Sequence, residues 1–195
     1  MKRPDNFRIS KVFSNGGDVH YALPHFQREY TWDKEQWEVL LNDLFAIYDE
    51  FTEENPPEHF MGSLVVINNN TTNLFLMYKL VDGQQRLTTI SLLLCALDRI
   101  IKSDNPVLSR RIKKLLVNED EQGDLHYKIL PTTKFGDRDA YTKIINGEAT
   151  NKSDSKIPVS FSFLESTLRK KISVGEILPE RLFFMGLPGF LWVSV

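Results

Sequence analysis

Five consecutive residues carry the most suggestive chemistry in this sequence. Asp82, Gly83, Gln84, Gln85 and Arg86 stand between a strand-like run ending at Val81 and an apolar-periodic run beginning at Leu87. A helix that starts there leaves its first N–H groups unpaired, and the helix dipole adds partial positive charge. An anion satisfies both. Gly83 permits a sharp turn and close backbone approach to a ligand. Arg86 offers a planar donor fork suited to phosphate oxygens. Gln84 and Gln85 can orient a phosphate or a water. Asp82 can hold Mg²⁺ through water, take a sugar hydroxyl or position an attacking water. The same residues also have a plainer reading, with Asp82 as an N-cap, Gly83 as a turn, and Gln and Arg as ordinary helix formers. Spacing alone leaves both open.

A second stretch, Leu23–Trp32 or "LPHFQREYTW", has no clear period. Gln27, Arg28, Tyr30 and Trp32 crowd polar and aromatic groups just before a helix. Tyr30 and Trp32 can anchor that helix. Arg28 with Gln27 is harder to explain as core, and Arg28 is a second candidate phosphate ligand. An aromatic here can stack on a base. Other chemistries have less support. His20, His25, His59 and His126 are scattered with no nucleophile beside them, and Ser63 and Ser91 lack a G-x-S-x-G setting. No Cys/His cluster has zinc spacing, and no P-loop or G-x-G-x-x-G fingerprint occurs. "RRIKK" at 110–114 and "RKK" at 169–171 read as solvated helix faces and are minor candidates for nucleic-acid contact.

The elements that must position these groups follow from hydrophobic period. A short helix or turn around "ISKVFSNGG" precedes a strand at "VHYAL". Trp37, Leu40, Leu41, Leu44, Tyr48 and Phe51 recur at helical spacing, with Thr31 or Asp33 as the cap. The paired prolines of "EENPPEH" end that helix. Strands at 60–68 and 74–81, joined by the turn "NNNTTN", form a hairpin. A helix then runs over about 85–102, stopped by "SDNP". Further helices are expected at 107–117, 136–146 and 162–172, a strand at 125–132 and a polar loop at 148–158. The class is α+β, a small mixed β-sheet with several helices.

With 195 residues the chain is one domain, or one and part of another, and buries a substantial core. A net charge of −2 argues against nucleic-acid binding over the whole surface and leaves local or weak contact. The lone cysteine, Cys95, sits in an apolar run as a buried hydrophobe. The N-terminus has no signal-peptide h-region. "ISLLLCALDRII" is broken by Asp98 and Arg99 and is too short to span a membrane. No membrane partner is expected, and the expected location is cytoplasmic.

"LPHFQREYTW", then "HFMGSLVV", then "LVDGQQRLTTISLLLCAL" together resemble the N-terminal domain of GmrSD-type, type IV restriction enzymes, in order and spacing. That domain is similar in fold to the ParB and sulfiredoxin superfamily. The resemblance covers roughly residues 7–102. It implies a ParB/sulfiredoxin-like nucleotide-binding core over 1–102 and a helical continuation over 103–195. It implies binding and hydrolysis of a nucleoside triphosphate, GTP or ATP, with Mg²⁺. Asp82, Gln84, Gln85 and Arg86 then become the catalytic set. Gln27, Arg28, Tyr30, Gly83, Arg86 and Thr88 bind the nucleotide, and no dedicated protein metal site is expected.

Family members defend bacteria by cutting foreign, often modified, DNA. The cutting is assigned to a separate nuclease domain or subunit with an H-N-H type metal site. This sequence has no such domain, and its charge-free stretch after Arg181 lacks the F-E-x-x-N-type segment of the family's continuation. The chain is therefore expected to be incomplete. The leading expectation is an NTP-binding and NTP-hydrolysing regulatory domain of a restriction system. The alternative is a non-catalytic DNA-sensing or protein-interaction module, possibly an inactive remnant. A bare nuclease ranks last, because no dense carboxylate cluster for two metals is evident. Replacing Arg86 by Ala is expected to weaken nucleotide binding more than folding.

Overall fold

The computed structural model describes residues 5–14, 19–24, 26–68, 76–150 and 154–194. The turn expected at "NNNTTN" and His25 lie outside them, as does part of the loop expected at 148–158. The fold is α+β. Strands β1 (Asp5–Arg8), β2 (Val19–Ala22), β3 (His59–Asn68) and β4 (Leu76–Asp82) supply the sheet from the first half of the chain, with helices α1 (Ile9–Ser14), α2 (Lys34–Glu50) and α3 (Gln84–Ile101). The second half adds α4 (Pro106–Leu116), β5 (Val117–Glu119), β6 (Leu125–Tyr127), β7 (Ile129–Leu130), α5 (Asp137–Asn146), α6 (Ile157–Ser173), a single turn α7 (Pro179–Arg181) and β8 (Phe190–Ser194).

Six strands pair in the order β1-β8-β3-β4-β2-β7, and β5 and β6 form a separate antiparallel pair. β3 and β4 make the expected antiparallel hairpin, while β2 runs parallel to β4 and to β7. Strands from both sides of residue 102 thus share the sheet, and one continuous core joins both parts. The charge-free stretch after Arg181 is also core. Leu182, Leu187 and Phe190 are buried there, and β8 lies between β1 and β3.

Helix α3 is the centre of the packing. Leu87, Ile90, Leu93, Leu94 and Leu97 are buried, and so are its polar Thr88, Thr89 and Ser91. A helix covered on all sides needs such burial around its whole circumference. Helices α4, α5 and α6 pack against it. Helix α2 starts at a capping box, in which Asp33 accepts from Glu35 N at 3.3 Å and Gln36 Oε1 accepts from Asp33 N at 3.0 Å. Among the expected caps, Asp33 rather than Thr31 holds that end.

Strands β1, β5 and β8 were not expected from sequence, and two expected elements are redrawn. Helix α6 begins at Ile157, not 162, because Pro158 falls in its first turn, where no backbone N–H is required. The strand expected at 125–132 is split in two. β6 pairs with β5 and β7 pairs with β2, and between them Lys128 turns inward to donate from Nζ to Phe13 O at 2.8 Å. Among the described residues no helix is long and apolar enough to cross a membrane.

Candidate functional site

The loop at 26–32 has no ladder partner, so apart from a turn bond from Gln27 N to Pro24 O at 3.0 Å its buried backbone polar groups look to side chains for partners. The two adjacent amides of α3 do much of this. Gln85 Oε1 accepts from Thr31 N at 2.9 Å and Trp32 N at 3.4 Å, and its Nε2 donates to Glu29 O at 2.9 Å. Gln84 Nε2 donates to Arg28 O at 3.3 Å. Gln27 Nε2 donates to Val81 O at 2.9 Å, tying the loop to the end of β4. From the other side Asp137 Oδ2 accepts from Tyr30 N at 2.6 Å, and Asp137 Oδ1 accepts from Ser155 Oγ at 2.5 Å. Burial raises the Asp137 carboxyl above its ordinary value, against the pull of these two bonds.

The turn from β4 into α3 is built on Gly83, whose φ of 91° lies in the left-handed region. No side chain caps α3. Its N-terminal turn opens on a cavity of about 430 Å³ lined by Asp82 to Arg86 on one side and by Gln27, Arg28 and Trp32 on the other. Both sequence motifs therefore meet in one pocket. Arg28 is an exposed cation on its rim, and Lys134 stands close, donating from Nζ to Gln27 O at 2.9 Å. Asp82 is the acid of the pocket, with its side chain 63% exposed and Oδ2 3.8 Å from Arg86 Nη2.

One atom in this pocket has no partner. Gln84 is 6% exposed, and its Oε1 has no hydrogen-bond donor among the described residues. Turning the amide over would not help, because Oε1 would then face the carbonyl of Arg28. The site thus combines an uncapped helix N-terminus, an exposed cation and a buried amide oxygen without a donor among the described residues.

Arg86 has a different setting from the one expected. Its Nη1 donates to Met61 O and its Nη2 to Ser63 O at 3.0 Å, both on β3. Gly62 lies between those carbonyls at φ 98°. β3 carries one extra residue there, since Phe60 pairs with Leu191 but Ser63 with Val193. The bulge turns the two carbonyls towards the guanidinium, and a Cβ on Gly62 would sit 2.9 Å from Arg86 Cζ. Arg86 lines the pocket, but its fork is engaged by the sheet.

Two expected ligand residues lie away from the cavity wall. Thr88 is buried in α3 at 2% exposure. Tyr30 is buried too, its hydroxyl 2.6 Å from Thr89 Oγ1 and 3.1 Å from Ser160 Oγ, and accepting from Trp37 Nε1 at 2.9 Å. Burial raises its phenol pKa, so it stays protonated. Tyr30 is an anchor for the loop, and it is Trp32 that reaches the pocket. Lys134, Asp137 and Gly62 were not singled out from sequence. Only the isolated glycine inside a β-branched strand was a readable signal for the last.

The sequence profile of the GmrSD restriction endonuclease N-terminal domain matches residues 9–181 of the 195. The chain belongs to that family. The match runs through α7, so the GmrSD N-terminal domain extends well beyond the 7–102 segment whose motifs first suggested it. Both stretches that build the pocket fall inside it. No curated protein matches the sequence. Among the described residues no group of three or more His, Cys, Asp or Glu side chains could hold a metal ion.

Proposed function

We propose that this domain binds a nucleoside triphosphate with Mg²⁺ in the Asp82–Arg86 pocket and couples its hydrolysis to a phage-defence restriction system. The observation that carries the reading is the coincidence of the uncapped α3 N-terminus, the Arg28 cation and the orphaned Gln84 Oε1 around one cavity. The N-terminal turn and Arg28 suit phosphate oxygens. Asp82 fits Mg²⁺ arriving with the phosphates, since that ion takes one or two carboxylates and keeps several waters. Bound there, the ion would neutralise charge on the phosphates. Gln84 lines the pocket, and with its amide turned towards the cavity it would suit the water that attacks the terminal phosphorus. The new bond is from that water oxygen to phosphorus, and the bond to the β-phosphate oxygen breaks. The products are the diphosphate, inorganic phosphate and a proton. Modified DNA and a nuclease domain or subunit are the partners such a regulatory domain would serve.

A second reading, nucleotide or DNA sensing without turnover, draws support from one observation. Gln85 and Arg86, expected to be catalytic, have their side chains committed to the loop and to β3. Calorimetry and phosphate release separate the two. Arg28→Ala should lower triphosphate affinity about tenfold to a hundredfold, the worth of one charged hydrogen bond, with the urea midpoint unchanged. Phosphate release that Gln84→Ala abolishes supports hydrolysis. Binding with no release, with or without DNA, supports sensing. No binding of any triphosphate refutes both nucleotide readings.

A further inference from the structure

The phosphate pocket has a neighbour. A second cavity of about 270 Å³ opens between the first turns of α2 and the bulged end of β3, and Trp32 and Arg86 line both cavities. Its character is different. Val39 and Phe60, 56% and 58% exposed, give it apolar walls. Its polar groups are two carboxylates, Glu35 and Asp43, with Gln36, His59 and Arg86. Asp43 Oδ2 lies 3.2 Å from His59 Nε2, and the carboxylate remains 31% exposed. Apolar walls with a few polar groups are what a small planar ligand needs, whereas negative charge repels phosphate.

We propose that this second cavity is the base subsite of the nucleotide and that it selects guanine. The inference rests on the phosphate reading of the first pocket, and it adds what that reading lacks, the identity of the base. With the phosphates on the α3 N-terminus, the shared wall of Trp32 and Arg86 flanks the sugar, and the base continues past it between Val39 and Phe60. Carboxylates only accept hydrogen bonds when ionised. Guanine presents two adjacent donors on its Watson–Crick edge, N1–H and the N2 amine. Adenine presents an acceptor at N1 beside its amine, and that lone pair would face a carboxylate. Of the other polar groups on the wall, the Arg86 fork is bonded to β3 and His59 Nε2 to Asp43, so the two carboxylates favour guanine over adenine by repulsion as well as by loss of bonds.

Calorimetry of the whole chain with Mg²⁺ tests this, using inorganic tripolyphosphate, GTP, ITP and ATP. GTP should bind about tenfold or more tighter than ATP and than tripolyphosphate, each charged hydrogen bond being worth about tenfold. ITP, which lacks the N2 amine, should fall between GTP and ATP. Asp43→Asn, Glu35→Gln and Phe60→Ala should each weaken GTP and leave tripolyphosphate unchanged. Phe60 is exposed, so its loss tests the base wall without emptying the core. Tripolyphosphate binding with GTP and ATP equal overturns the base subsite while sparing the phosphate pocket. Absence of tripolyphosphate binding overturns the phosphate pocket and this subsite together.

Discussion

Replacing Arg86 by Ala should destabilise the fold by about 2–4 kcal/mol, because the residue clamps a β-bulge. The guanidinium donates to Met61 O and Ser63 O, and its side chain is 23% exposed. A hydrogen bond to a charged group contributes roughly 1.5–3 kcal/mol. Water from the adjoining cavity can reach the freed carbonyls, which places two such bonds near the low end of their sum. The pairing with Asp82 adds little, at 3.8 Å from a largely exposed carboxylate. Gly62→Ala should cost about 1–3 kcal/mol for the left-handed backbone alone, plus the collision of its Cβ with the guanidinium. The two sites are therefore coupled. In the double variant the collision is gone, so its cost should fall short of the sum of the single costs by about 1 kcal/mol or more. Urea melts of the four proteins measure the cycle. If Arg86→Ala lies within about 0.5 kcal/mol of wild type, as surface substitutions do, and the cycle is additive, the clamp is not structural. The phosphate role first expected of Arg86 would then be the better account of the residue.

Other outcomes follow from burial. Phe190, fully buried at the start of β8, should cost about 3–5 kcal/mol when cut to Ala, read as a lowered urea midpoint. The Cys95 thiol is buried and pushed up to about 12, so it should resist iodoacetamide at pH 8 in the native protein and react on unfolding. His20 has its pKa lowered by burial from 6.5, although its bond to Tyr127 O works the other way. The unfolded chain then takes up a proton first. The stability contributed by neutral His20 is fully present above pH 6.5 and is lost as pH falls from there through its lower folded value. Urea midpoints across that window should decline, and His20→Gln should flatten the decline. No decline, or the same decline in the variant, would remove His20 from the account.

Local pattern settled much of this protein in advance. The i, i+3, i+4 recurrence of Trp37, Leu40, Leu41 and Leu44 is α2, because the buried face of a helix must repeat at its own pitch. Gly83 between a strand and an apolar run is the left-handed turn into α3, because few other residues take that conformation without cost. The family resemblance of the two polar stretches was also legible, and both stretches border one cavity. Three-dimensional neighbours decided the rest. Gln85 and Arg86 look alike in sequence as polar groups at a helix start, yet one holds a loop 53 residues away and the other a bulge in β3. Tyr30 became an anchor through Thr89, Ser160 and Trp37, none of which sequence spacing links to it. The charge-free stretch after Arg181 became core because β1 and β3 leave a place between them for β8. A side chain's type sets which bonds it can make, but the partner within reach is chosen by how distant segments pack, and local spacing carries no record of that choice.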